Sequence, residues 1–200
     1  HATTTHAFTD ALVAGTLAQE KMAGYLQQDY LFLDEFVRLL AAAIANAPSL
    51  ADRVPAAQFL ALITGPENTY FLRSFQAFNV PAETPALPQT RAFQDLMQEA
   101  RLSGRYECML AVLVVAEWSY LDWATPHAGQ AEALPFWFGE WITLHSGDGF
   151  QGVVTYLRTQ LDQIWTSLDA SERARVEDLF ARAVRLERAF FDAALAGFDV

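Results

Sequence analysis

Three carboxylates in this sequence stand where helical periodicity calls for apolar side chains. In "GYLQQDYLFLDEFVRLL", residues 24–40, Asp29 lies within about 60° of Tyr25, Leu26, Phe32, Leu33 and Phe36 on a helical wheel. Gln27, Asp34, Glu35 and Arg38 form the opposite side and read as the solvent face. Glu117 sits in the same way among Leu110, Leu113, Val114, Tyr120 and Leu121. Glu187 sits among Phe180, Ala183, Val184, Phe190 and Phe191, while Arg182, Arg185 and Arg188 point elsewhere. A charge held in apolar surroundings is costly, so each acid needs a partner or a task. Two readings stay open. Each acid is bonded separately to a Tyr, Trp, Arg or helix end, or the three share one polar pocket. A shared pocket would shift their pKa values and suit general acid/base chemistry.

Other chemistries find less support. Di-iron bundles use Glu-x-x-His pairs, and none occurs among the four histidines, His1, His6, His127 and His145. Only His6 could be argued as a haem ligand. Cys108 is half a helical turn away from Glu117 on the wheel, so the two cannot readily share a pocket, and it reads as a buried structural thiol. No Gly-rich phosphate loop or Gly-x-Ser-x-Gly elbow is present. Phe32, Phe93, Tyr120 and His145 fall on or near the faces carrying the acids. Aromatics at helical spacing are usually core, but beside carboxylates they could sandwich a flat, basic heterocycle whose amino groups and protonated ring nitrogen the acids would bond.

Long helices are needed to hold such residues. Helical patterns run over 7–16, 19–47, 49–63, 66–79, 89–102, 104–124, 130–145, 149–167 and 170–197, and no alternating strand pattern appears. "NAPS" and "ETPALPQT" are loop and N-cap signals, "SGDGF" at 146–150 reads as a turn, and Ser171 as a cap. The stretch "CMLAVLVVAE" has no charge before Glu117 and predicts a helix buried on every side. Connections are short and no composition shift marks a boundary, so residues 1–200 read as one all-α helical bundle domain.

Composition narrows the partners. The 200 residues are 52% hydrophobic with a formal charge of −11 from only 13 Lys and Arg. That argues against nucleic acid and anionic membrane, and leaves small molecules or proteins. A single cysteine permits no internal disulfide and fits a reducing, cytoplasmic setting. No 18-residue apolar run suggests a membrane span, and no signal pattern opens the chain at His1. A mean hydropathy of +0.12 fits a homo-oligomer.

Taken in order, "HAFTDALVAGTL", "YLQQDYLFLDEF", "LSGRYECMLAVLVVAEWSYLDW", "WITLHSGDGF" and "LERAFF" make the chain resemble the TenA family of thiaminase II enzymes, nearly end to end. The resemblance implies a haem-oxygenase-like fold, a homotetramer or dimer, no cofactor or metal, and hydrolysis of aminopyrimidines in thiamin salvage. It also implies that Asp29 holds the pyrimidine, Tyr120 lines the pocket, and Glu187 contacts the ring and passes a proton to the leaving group. Ala116 stands where many members have a catalytic cysteine. Phe32, Phe93 and His145 stand for pocket tyrosines. A branch without the cysteine uses a neighbouring glutamate, which Glu117 matches. Its substrates include aminomethyl- and formylaminomethyl-pyrimidines. A binding protein that has lost the chemistry, or an oxidoreductase of the same fold, are the alternatives.

Overall fold

The computed structural model describes residues 5–198, so His1 lies outside the described residues. These form α1 (Ala7–Val13), α2 (Gln19–Asn46), α3 (Leu50–Leu62), α4 (Asn68–Phe78), α5 (Pro88–Leu102), α6 (Tyr106–Ala124), α7 (Phe136–Leu144), α8 (Gly147–Trp165) and α9 (Ala170–Ala196). The described residues contain no strand, as the periodicity predicts.

The charge-free run ahead of Glu117 dictates the arrangement. With apolar side chains all round, α6 can be stable only if every face is covered. It is the central helix, with α2, α5, α8 and α9 against it, and every residue from Tyr106 to Glu117 is buried. By composition and length α6 plus the following turn could pass for a membrane span, but 72% of that window is buried inside the bundle. α9 runs back along α1, α2, α5 and α6, bringing Glu187 to the same interior as Asp29 and Glu117.

The termini of these helices follow local chemistry. Ser49 caps α3 by accepting from the Asp52 amide, as "NAPS" predicts. For α9 the cap is Asp169 rather than Ser171, because Asp169 and Glu172 complete a reciprocal capping box. "SGDGF" is not a turn throughout: Ser146 is the N-cap and helix α8 begins at Gly147. The expected helix over 130–145 is divided. Residues Thr125–Ala133 form a 3-10 turn, and α7 starts only after Pro135. Glu35, expected on the solvent face, is buried, with Arg101 Nε 2.7 Å from its carboxylate. The arginine arrives from α5, so the wheel of α2 could not reveal it.

The expected break between two helices at Gly65 is instead a widened turn. Ile63–Glu67, "ITGPE", is π-helical and joins α3 to α4. Pro66 has no amide to donate and would clash with the carbonyl four residues back in a regular helix. The extra residue of a π turn accommodates it. The Asn68 amide then donates to the Ile63 carbonyl, five residues back.

Candidate active site

Several of these helices and the C-terminal cap of α7 bring side chains to a narrow cavity at the heart of the bundle. α2 supplies Asp29, Phe32 and Phe36, and α5 supplies Phe93. α6 supplies Ala116, Glu117 and Tyr120, and α9 supplies Glu187 and Phe190. Trp141 enters from α7 and His145 from its C-terminal cap. All seven residues singled out in the sequence, Asp29, Phe32, Phe93, Glu117, Tyr120, His145 and Glu187, line this one space. The cavity volume is about 30 Å³. Cys108 does not line it and is wholly buried elsewhere in the core, where burial raises its thiol pKa. His6 is also remote. It caps α1 and lies 3.1 Å from Asp192.

A fourth carboxylate was not legible in the sequence. Glu67, at the end of the π turn, lines the same cavity. No wheel finds it, because the π turn shifts the helical phase between α3 and α4. The only signal available was the Gly65–Pro66 interruption itself.

The electrostatics are set by burial without a compensating cation. Asp29, Glu117 and Glu187 are 8%, 9% and 2% exposed, and among the described residues no Lys or Arg lines the cavity. Burial raises Asp29 to about 8, opposed by a hydrogen bond from Tyr120. Glu187 is pushed well up by burial and by the charge of Asp29. Glu117 is pushed well up by burial, then by Glu67, Glu187 and Asp29. Glu67, only half-buried, rises to about 8 through desolvation and the field of Asp29. Like charges crowded at low dielectric cannot all ionise, so at neutral pH the empty cavity holds protons.

The remaining polar groups are oriented with care. Tyr25 and Tyr120 hydroxyls are 2.6 Å apart. His145 Nδ1 is 2.8 Å from the Trp141 carbonyl, which can only accept, so Nδ1 carries the hydrogen and Nε2 is left as an acceptor. Burial lowers His145 to about 4, keeping it neutral. Its ring lies 4.2 Å from Trp141 and 4.7 Å from Tyr120, while Phe32 and Phe93 meet edge-on at 4.9 Å. Such surroundings favour a flat ring with hydrogen-bond donors on its rim, ideally a cationic one. Among the described residues no group of three or more His, Cys, Asp or Glu gathers closely enough to hold a metal.

Comparison with known proteins agrees with this architecture. The model of the TENA/THI-4/PQQC family matches residues 1–197. The chain belongs to that family. Its similar relatives include the aminopyrimidine aminohydrolase of Halalkalibacterium halodurans, 27% identical over 94% of this chain and 87% of the relative. The aminopyrimidine aminohydrolase of Helicobacter pylori is 25% identical over 94% and 89%. A solved TenA family transcription regulator from Silicibacter sp. TM1040 superposes with a TM-score of 0.83 at 28% identity, covering 97% of this chain and 90% of that one. A TenA homologue from Pyrococcus furiosus reaches 0.84 at 19% identity, over 96% and 91%, and shows the shared fold. The all-α TenA fold expected from the sequence is the fold observed.

Proposed function

We propose that this TenA family member is a hydrolase of thiamin-derived aminopyrimidines, working by carboxylate acid/base chemistry. The observation that carries this is the single cavity, with Asp29, Glu117 and Glu187 set among aromatic rings and no cationic side chain. The aminopyrimidine aminohydrolases among its relatives support it.

The heterocycle stacks among Phe32, Phe93, Tyr120 and His145. Asp29 takes the amidine edge, one proton being shared between its carboxyl and the ring nitrogen. Glu187, kept protonated by burial, gives its proton to the exocyclic nitrogen as the carbon–nitrogen bond breaks. Glu117, once ionised, removes a proton from water as the water oxygen bonds to the same exocyclic carbon. The products are the hydroxymethylpyrimidine and ammonia. On a formylaminomethyl substrate the same groups would instead direct water to the formyl carbon and release formate. Ala116 offers no thiol, so the proposed route has no covalent cysteine adduct.

Chromatography of the purified chain incubated with the aminomethylpyrimidine tests this. Hydroxymethylpyrimidine is expected from the wild type and on the order of 100-fold less from Glu187→Gln. Equal amounts from both would end the proposal. Tight binding with no product at any pH would leave a pyrimidine-binding protein instead.

A further inference from the structure

The reaction above leaves a proton in an awkward place, and the following rests on that reading. After each turnover Glu117 holds the proton taken from water and Glu187 has given one away. Before the next turnover the first must leave and the second must be replaced. Glu117 is deep in the bundle, on a helix covered by α2, α5, α8 and α9. While product fills the cavity, its way out has to pass through a neighbouring titratable group.

The π turn offers that route. Its inward side gives Ile63 and Glu67 to the cavity. Ile63, Thr64 and Asn68 line a separate, open groove on the surface, shared with Leu33 and Asp34 of α2. Leu33 and Ile63 border both spaces, so these two residues lie between the acids and the open groove. Asn68 at its end accepts a hydrogen bond from the Tyr30 hydroxyl at 2.9 Å, which ties the turn to α2. Glu67 is the only one of the four cavity acids that is partly open to solvent. It is also the charge felt most strongly by Glu117. The other titratable groups sensing it or acting on it are Asp29 and Tyr70.

We propose that Glu67 is a positioning and relay residue: it takes from Glu117 the proton removed from the attacking water and passes it to solvent. The transfer runs from the Glu117 carboxyl to the ionised Glu67 carboxylate, then from the Glu67 carboxyl to water, with no change in oxidation state. It operates in the molecules whose Glu67 has lost its proton, a fraction that grows as pH approaches 8. Glu187 is reprotonated from solvent when the product leaves. A residue whose resting value is about 8 can both hold and release a proton near neutral pH.

Steady-state kinetics on Glu67→Gln and Glu67→Asp, with and without added formate, test this. For Glu67→Gln kcat should fall on the order of tenfold or more with KM nearly unchanged. Formate, a small mobile carboxylate, should restore the rate saturably, and Glu67→Asp should lie between wild type and Gln. A purely structural role would not respond to formate. If Gln disturbs the turn, as a melting curve would reveal, Glu67→Asp with formate rescue decides alone. Wild-type rates in Glu67→Gln, a loss indifferent to formate, or a change confined to KM would each overturn the relay while leaving the hydrolase intact. No product from the wild type would remove the hydrolase reading, and the relay with it.

Discussion

Glu117 meets a heavy electrostatic cost in the cavity. Burial and three neighbouring acids all disfavour its ionised form, yet a base must be ionised to act. Held above the ordinary carboxylate range, Glu117 stays protonated and idle at pH values where a free glutamate is already ionised, so kcat/KM should still be rising with pH there. It should fall again only when Glu187, also raised, loses the proton it must donate. A pH–rate profile whose ascending limb lies above the ordinary carboxylate range is the expected result, and a limb already complete within that range would contradict the assignment. Glu117→Gln should lower kcat by roughly 10²–10⁴ with little effect on binding. At this scale the sequence was informative for a simple reason. Asp29, Glu117 and Glu187 each interrupt an apolar stripe on a regular helix, so one periodicity exposes all three. Glu67 belongs to no such stripe. Glu35 shows the opposite failure, being an acid expected on the solvent face but buried and paired with Arg101.

The elements hold these residues through a few close contacts that periodicity does not report. α7 carries Trp141 and His145, and its position depends on Gly139. A β-carbon there would collide with the Ala131 carbonyl oxygen of the preceding 3-10 turn. Gly139→Ala should therefore push α7 outward and cost about 1–3 kcal/mol, the usual penalty for overfilling a packed interface. The expected signs are a lower melting temperature and, because His145 moves with the helix, a higher KM for the pyrimidine. An unchanged melting temperature would show that the turn yields freely. The division of the expected 130–145 helix has the same origin. Thr125–Ala133 is 3-10, and Pro135 resets the chain before α7. Helix existence was legible throughout. Phase and join were not, because a π turn and a 3-10 turn alter the residues per turn that the wheel assumes.

Taken whole, the molecule contains two opposed populations of carboxylates. Around the surface, Glu99 is held below its ordinary range by Arg182, and Glu172 by the Asp169 amide and Arg105. Groups of this kind stabilise the fold at neutral pH and lose that contribution as pH falls through the carboxylate range. In the cavity, Asp29 and Glu67 are raised to about 8, and Glu117 and Glu187 are raised as well. Between the ordinary carboxylate range and about pH 8, Asp29 and Glu67 remain largely protonated in the folded chain but ionise in the unfolded one, and the raised Glu117 and Glu187 act in the same direction. The folded state then binds more protons, so its stability declines as pH rises, by roughly 1.4 kcal/mol per pH unit for each such proton. The two trends place maximum stability on the mildly acidic side. Melting temperature should fall between pH 5 and 8.5, and Glu187→Gln, which cannot ionise, should make that decline shallower. A melting temperature that is level or rising over the same interval would mean that the cavity acids are already ionised in the folded chain. A cationic aminopyrimidine should act in the same direction as the amide. By pairing with Asp29 it removes part of the cost of ionisation, so the rise in melting temperature on binding should be larger at pH 8 than at pH 5.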